Sequence, residues 1–90
     1  MSGGGASEGG LRERLARLRE RLSQSRSVDA DSRSHLSAVV SDIDSDLGRG
    51  GAASAHAPRL ESLAVRFEAD HPGLAEVIRE VIDALVRGGV

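Results

Sequence analysis

Apolar side chains recur along this chain at alternating steps of three and four residues, the spacing of a helix with one buried face. The first stripe lies at 11–22 and the second at 36–47. Their members are Leu11, Leu15, Leu18 and Leu22, then Leu36, Val39, Val40, Ile43 and Leu47. We therefore predict a helix over about 11–25 and a second over about 30–47, folded into one antiparallel helical hairpin.

The third stripe is longer, and it runs from Leu60 to Leu85 in one phase. Pro72 interrupts it, because proline cannot donate to the helical ladder and pushes His71 out of the α region. Proline suits the first position of a new helix, with His71 or Asp70 as its cap. We predict a C-terminal helical arm over 59–87 that is broken or kinked near 70–72, against the alternative of a continuous, gently bent helix. The preserved phase predicts that both halves face the same surface.

The three stripes together predict an all-α fold of three or four helices with coiled-coil-like packing. Asp29 is a good cap for the start of the second helix, and Gly48 can supply the left-handed residue that ends it. Residues 1–10 contain five glycines and no stripe, which predicts a disordered tail. Residues 48–58 have no periodicity, which predicts a flexible linker.

Charge divides the first two helices. The arginines of 12–26 give the first helix a net charge of +4, and the aspartates of 29–46 give the second a net charge of −4. In an antiparallel hairpin the Arg-rich start of one helix lies beside the Asp-rich end of the other, and such flanking charges set helix pairing. We predict that Arg12 and Arg14 pair with Asp44 and Asp46 within one chain, and Arg19 and Arg21 also flank the first stripe.

The composition excludes several kinds of chemistry. The chain has no cysteine, so it cannot form disulfides, thiolate metal sites or a cysteine nucleophile. No two histidines have metal-ligand spacing, and the aspartate run at 42–48 lacks the glycine and glutamate of a calcium loop. No serine lies in a Gly-x-Ser-x-Gly elbow. We expect no enzymatic activity, no metal and no cofactor.

The histidines have structural interpretations. We expect His35 to be a surface neighbour of Asp31 and His56 to be a linker residue. His71 lies on the third stripe, where it is either a helix cap or a half-buried polar residue that fixes register. A pH-sensitive contact is the remaining alternative for His71.

Two features bear on the cellular setting. The start of the chain lacks a basic segment followed by an apolar one, and no run approaches the roughly 18 apolar residues of a membrane span. We therefore expect a cytoplasmic protein that does not enter the membrane. All 12 cationic residues are arginine, which we attribute to the codon bias of a GC-rich bacterial genome.

Four segments together resemble a bacterial family known as domain of unknown function 4404. They are the leucine stripe at 11–22, the turn at 28–33, the segment at 67–76 and the short run at 82–85. The element Phe-Glu-x-x-His-Pro-x-Leu-Ala at 67–75 is the most specific of them. The resemblance covers nearly all of 11–90 and implies the helical fold, but the family has no assigned activity or functional residues to carry over.

The length of the third stripe motivates a functional hypothesis. A straight helix over 59–87 would be about 43 Å long, whereas each of the first two would be about 25 Å, so the hairpin cannot cover the whole stripe. We predict a non-enzymatic module that binds a protein partner or self-associates. The candidate interaction face comprises Phe67, His71, Leu74, Ile78, Val81, Ile82 and Leu85.

The alternative is a nucleic-acid accessory protein that contacts phosphates through the arginines of the first helix. The net charge of −2 and the single aromatic ring, that of Phe67, disfavour it. A small ligand in the helical core is a third hypothesis, and no residue pattern identifies such a ligand.

Overall fold

The computed structural model describes residues 6–50 and 53–88. These residues form four α-helices and no strand: α1 is Ala6–Gln24, α2 is Ala30–Arg49, α3 is Ala57–Glu68 and α4 is Pro72–Gly88. A short 3₁₀ helix, Ala53–His56, leads into α3. The all-α class and the break before Pro72 are confirmed.

All three apolar stripes enter one hydrophobic core. Leu18, Leu36, Leu60 and Ile78, one from each helix, are 0% exposed. Burying one such side chain contributes about 1.5–3 kcal/mol. Because each helix buries its stripe against the others, no helix keeps this contribution alone.

The helix α4 makes the most extensive contacts, with α3 on one side and α1 on the other. Arg17 pairs with Glu80, and the Arg21 guanidinium lies beside Gly73. Since the position along α4 falls as that along α1 rises, these two helices run antiparallel. Among the described residues α1 and α3 do not pack against each other, so they lie across the bundle from one another.

Side chains of Asp29 and Arg33 stabilise the turn between α1 and α2. The Ser32 N–H donates to the Asp29 carboxylate at 3.1 Å, which confirms the predicted cap. Arg33 donates to the carbonyl of Leu22 at 3.0 Å and to that of Ser25 at 2.6 Å. Carbonyls at a helix end lack partners within the helix, so Arg33 joins the end of α1 to the start of α2.

Two segments predicted to be irregular are partly helical. The helix α1 begins at Ala6, so residues 6–10 of the predicted tail belong to it, and residues 1–5 lie outside the described residues. Once the buried turn at Leu11 has formed, each further residue extends the helix without a new nucleation cost. The predicted linker at 48–58 contains the end of α2, the 3₁₀ helix and the start of α3, while residues 51–52 are outside the described part.

The end of α2 also differs from the prediction. Gly50, not Gly48, adopts the left-handed conformation, with φ of 71°, and its N–H donates to the Leu47 carbonyl at 3.3 Å. Gly48 remains inside the helix. Ala53, three residues after Gly50, is buried in the hydrophobic core, so the connection to α3 packs against the bundle.

The break between α3 and α4 has a simple backbone geometry. Pro72 is the first residue of α4, where its missing N–H has no cost. The His71 carbonyl accepts from the N–H groups of Leu74 and Ala75, both at 3.0 Å, so His71 caps α4 through its backbone. Because α4 packs back on α3, the two halves of the third stripe contact each other; α3 also packs on α2 and α4 on α1, so the prediction that both halves face the same surface is wrong.

Candidate interaction surface

The predicted interaction face lies mostly inside the bundle. Phe67, Leu74, Ile78, Val81 and Leu85 are at most 3% exposed, and the other two members, His71 and Ile82, are half-buried. The premise that the chain cannot cover this stripe is therefore wrong. The premise assumed that the third stripe stays extended, whereas it folds into two helices that bury it against each other and against α1.

The predicted charge pairing holds for one of its two aspartates. Asp44 lies 3.8 Å from Arg12 and 2.5 Å from Arg19, and these pairs set the end of α2 beside α1, as in an antiparallel hairpin. Arg14 instead donates to the carbonyl of Gly10 in its own helix, at 3.4 Å. Asp46 pairs with Arg49 and His56 and with neither of the predicted arginines.

Asp46 forms a contact that the sequence interpretation missed. His56 Nε2 donates to Asp46 Oδ2 at 2.7 Å, and Arg49 donates to the other carboxylate oxygen at 3.2 Å. The hydrogen bond from His56, and then that from Arg49, lower the pKa of Asp46. His56 is therefore a structural residue with a side chain only 15% exposed, not a free linker residue. The sequence signal for this contact was the position of His56, ten residues after Asp46 and beyond a glycine turn that can bring the two side chains together.

The other two histidines lie closer to their predicted places. His35 is exposed on α2, as expected. His71 is half-buried and packs edge-on against Phe67, with ring centroids 6.1 Å apart and planes at 69°. It joins the two roles proposed for it, since its backbone caps α4 while its ring lies against the core.

An open groove of about 320 Å³ separates α2 from α3. Val39 and Leu63 form its apolar floor. The other lining residues are His35, Arg59, Ser62 and Arg66. The α3 residues are spaced at i, i+3, i+4 and i+7, so they form one helical face, and this pattern is a sequence signal for the α3 side of the groove only. We call this feature the α2–α3 groove.

The α3 side of the groove is cationic. Arg59 lies 3.5 Å from Asp42, and both side chains are more than half exposed. Arg66 makes no ion pair within 4 Å of any described residue. Val65, three residues after Ser62, is 62% exposed at the flank of this face. The groove thus combines a small apolar floor with two arginines: Arg59, which is already paired with Asp42, and Arg66, which interacts electrostatically with Asp29.

A second, polar cleft of about 290 Å³ lies where the turn between α1 and α2 meets the turn between α3 and α4. Its lining comprises Ser27, Asp29, Asp31, Ser32, Arg66, Phe67, Asp70 and His71. The segments 28–33 and 67–76, which carry the family resemblance, are therefore neighbours in space. Asp29 has a structural role here: the backbone N–H of Ser32, and then its side chain, lower the pKa of Asp29 by hydrogen bonding.

Within residues 6–50 and 53–88 no group of three or more histidines and acidic residues could hold a metal ion. In the same residues, no helix is both long enough and apolar enough to cross a membrane. The fold and its surface thus define a small all-α bundle with a closed core and charged outer grooves.

The family model for a domain of unknown function, DUF4404, matches residues 11–90. The chain belongs to this family. Comparison with curated proteins and with solved structures gave no match. The family assignment adds no activity, so a functional proposal has to rest on the surface.

Proposed function

We propose that this chain is a non-enzymatic interaction module that docks an acidic, amphipathic helix in the α2–α3 groove. One observation carries the proposal: Arg59 and Arg66 flank an apolar floor on one face of α3. Helices that bind in grooves place apolar side chains on the floor and polar ones on the rim.

The spacing on α3 specifies the partner. Arg59 and Arg66 are seven residues apart, which is about 10.5 Å along a helix. A partner helix lying antiparallel to α3 would present two carboxylates at the same spacing, with an apolar side chain between them over Leu63. Such a helix would read as Glu-x-x-Leu-x-x-x-Glu.

The expected binding is weak and transient. Exposed ion pairs contribute about 0.2–1 kcal/mol each, and a partner would compete with Asp42 for Arg59. The floor adds little more, because Val39 is 2% exposed and Leu63 is 7% exposed. Since the rim charges face solvent, affinity should fall as salt rises.

The non-enzymatic part of the proposal is supported by the roles of the polar residues. His56 and Asp46 hold each other at the connection to α3, and Asp29 caps α2. Arg33 caps α1. These groups stabilise the fold, and each would have to leave a structural contact to act on a substrate.

A designed helical peptide tests the proposal directly. The peptide contains one Glu-x-x-Leu-x-x-x-Glu unit on an alanine-rich helix, and the control peptide has glutamine in place of both glutamates. We expect saturable NMR shift changes confined to α2 and α3, at concentrations of about 10–500 μM. The control peptide should bind at least about fivefold more weakly.

A matched pair of protein variants locates the site. Replacing Arg59 and Arg66 together by glutamine should abolish saturable binding. Replacing Arg26 and Arg87 by glutamine changes the net charge equally and should leave binding unchanged. Equal binding to both variants, or shift changes centred outside the groove, would overturn the proposal.

The nucleic-acid alternative has less support. Arg12 and Arg19 share Asp44, and Arg17 pairs with Glu80, so part of the positive charge of α1 is already matched by carboxylates. A gel-shift assay at low salt distinguishes the two functions, because phosphate binding would retard a DNA or RNA probe.

We place the proposed activity in the cytoplasm of a bacterium. Support for this comes from the use of arginine for all 12 cationic residues and from the lack of cysteine. Fractionation of the native host, followed by detection of the chain in the soluble fraction, tests the location.

A further inference from the structure

The outer face of α1 carries the charge pattern that the α2–α3 groove requires. Glu13, Ala16 and Glu20 point away from the leucine stripe and are exposed. The two glutamates are seven residues apart, so their spacing equals that of Arg59 and Arg66 on α3. Neither glutamate side chain makes an ion pair with a described residue within 4 Å.

The arginines that border this face have other partners. The face borders a shallow depression of about 590 Å³ that also includes Arg14, Arg17 and Glu80. Arg17 and Glu80 lie 3.3 Å apart and neutralise each other. Arg14 is directed to a backbone carbonyl of its own helix. The glutamates therefore remain the groups available to an approaching cation.

We propose that the helix docked in the α2–α3 groove is α1 of a second copy of this chain. The inference rests on the proposed function and names its partner. Glu13 and Glu20 of one copy pair with Arg59 and Arg66 of the next, and the small side chain of Ala16 allows α1 to approach the groove floor.

The position of the two surfaces determines the kind of assembly. Because α1 and α3 lie across the bundle and do not touch among the described residues, one copy can use both surfaces at once. A contact between two different patches is head-to-tail, so it extends into a chain unless the rotation closes a ring. The expected assembly is an open, weak and salt-sensitive series of copies.

Two complementary variants test this arrangement by sedimentation equilibrium at low salt. The groove variant carries Arg59→Gln with Arg66→Gln, and the α1 variant carries Glu13→Gln with Glu20→Gln. We expect the average mass of the wild-type protein to rise with concentration above that of two copies. Each variant alone should stay monomeric, because it lacks one side of the contact.

The decisive sample is an equimolar mixture of the two variants. The intact α1 of the groove variant fits the intact groove of the α1 variant, so the mixture should form a species of two copies and stop there. Added salt should return both the mixture and the wild-type protein to monomers. Circular dichroism and thermal melts of each variant check that the bundle is intact, and the Arg26→Gln with Arg87→Gln variant should associate like the wild-type chain.

The outcomes separate this inference from the proposed function. A monomeric wild-type protein that still binds the acidic peptide overturns the second-copy partner and leaves the groove function standing. A monomeric wild-type protein that does not bind the peptide overturns both. Association that persists in either variant alone, or a mixture that stays monomeric, overturns the pairing of α1 with the groove.

Discussion

Among single residues, Asp46 joins parts of the chain that sequence periodicity cannot relate. Its carboxylate accepts from Arg49 in the same helix and from His56 beyond the glycine turn. The contact attaches the connection between α2 and α3 to the end of α2. The α2–α3 groove depends on how these two helices diverge, so Asp46 supports the site without lining it.

The first prediction concerns the pH dependence of this contact. The pKa of Asp46 is lower in the folded chain than in the unfolded one, because the hydrogen bond from His56 favours the carboxylate. Its contribution to stability is therefore complete above the unfolded pKa, near pH 4, and is lost as the pH falls through the folded pKa. Asp46→Asn should lower the Tm by about 2–5 °C at neutral pH and by much less near pH 2–3.

The matched control is Asp83→Asn, which removes an exposed pair with Arg87 inside α4. This variant should change the Tm by less than about 2 °C at either pH. Thermal melts followed by circular dichroism across this pH range measure both variants. An effect of Asp46→Asn that is the same at every pH would rule out the charge of Asp46 as its cause.

The second prediction concerns the cap of α2. Asp29 accepts the Ser32 N–H, and alanine has no acceptor for it. Asp29→Ala should lower the Tm by about 5 °C, whereas Asp29→Ser, which retains an acceptor, should lower it by about 2 °C or less. Thermal melts of the two variants at neutral pH provide the measurement, and equal losses would mean that the side-chain cap is not the stabilising feature.

Between elements, the charge pairing of α1 with α2 is centred on one aspartate. Asp44 contacts Arg19 more closely than Arg12, and Arg14 does not reach α2. We predict that Arg19→Glu lowers the Tm by about 3–6 °C at low salt, because it sets two acidic groups together, and by less than half of this at high salt.

Arg14→Glu is the matched control for this third prediction, since it makes the same charge change one turn from the pair. It should shift the Tm by less than about 2 °C at any salt concentration. Melts at two salt concentrations test both variants. A larger effect for Arg14→Glu than for Arg19→Glu would mean that the pairing of α1 with α2 differs from the one described.

The helices were predictable because burial follows a local rule. The apolar positions of each stripe recur at helical spacing, and the covalent geometry of Pro72 predicts a break in the helix. The partners of the stripes were not predictable in this way. Whether Leu74 packs on α3 or on another molecule depends on where α4 turns after His71, and the phase of the stripe is the same in both cases.

The same reasoning explains why the candidate site differs from the predicted one. The long third stripe was interpreted as apolar surface that the hairpin could not cover. The chain reverses direction at Pro72 instead, and α3 and α4 bury this surface against each other. Arg59, Leu63 and Arg66 gave a weaker signal, because a cationic helix face becomes a groove only when another helix diverges from it. That divergence is a property of the packed bundle, and no local pattern encodes it.

For the molecule as a whole, the surface argues against an obligate apolar interface. Among the described residues the large apolar side chains that are well exposed are Val65 and Val86, at 62% each. Isolated residues of this kind are normal on monomers, whereas obligate interfaces resemble a domain core cut in half. The bundle should therefore fold as a monomer, and any association should rest on charge.

The last prediction separates a core role for the third stripe from an interface role. Ile78 is 0% exposed on α4, a helix that packs against α1, α3 and the 3₁₀ helix, so Ile78→Ala leaves a cavity and should cost about 2–5 kcal/mol of unfolding free energy. A domain of this size has about 4–12 kcal/mol in total, so the variant should be near the limit of stability. Val86→Ala, an equally apolar truncation on the exposed side of α4, should change stability by about 0.5 kcal/mol or less.

Urea unfolding at high salt, where charged association is suppressed, gives both values over a wide range of protein concentration. If Ile78 belongs to the monomer core, the midpoint of each variant is independent of concentration. A midpoint that rises with concentration would mean that the stripe is buried between chains.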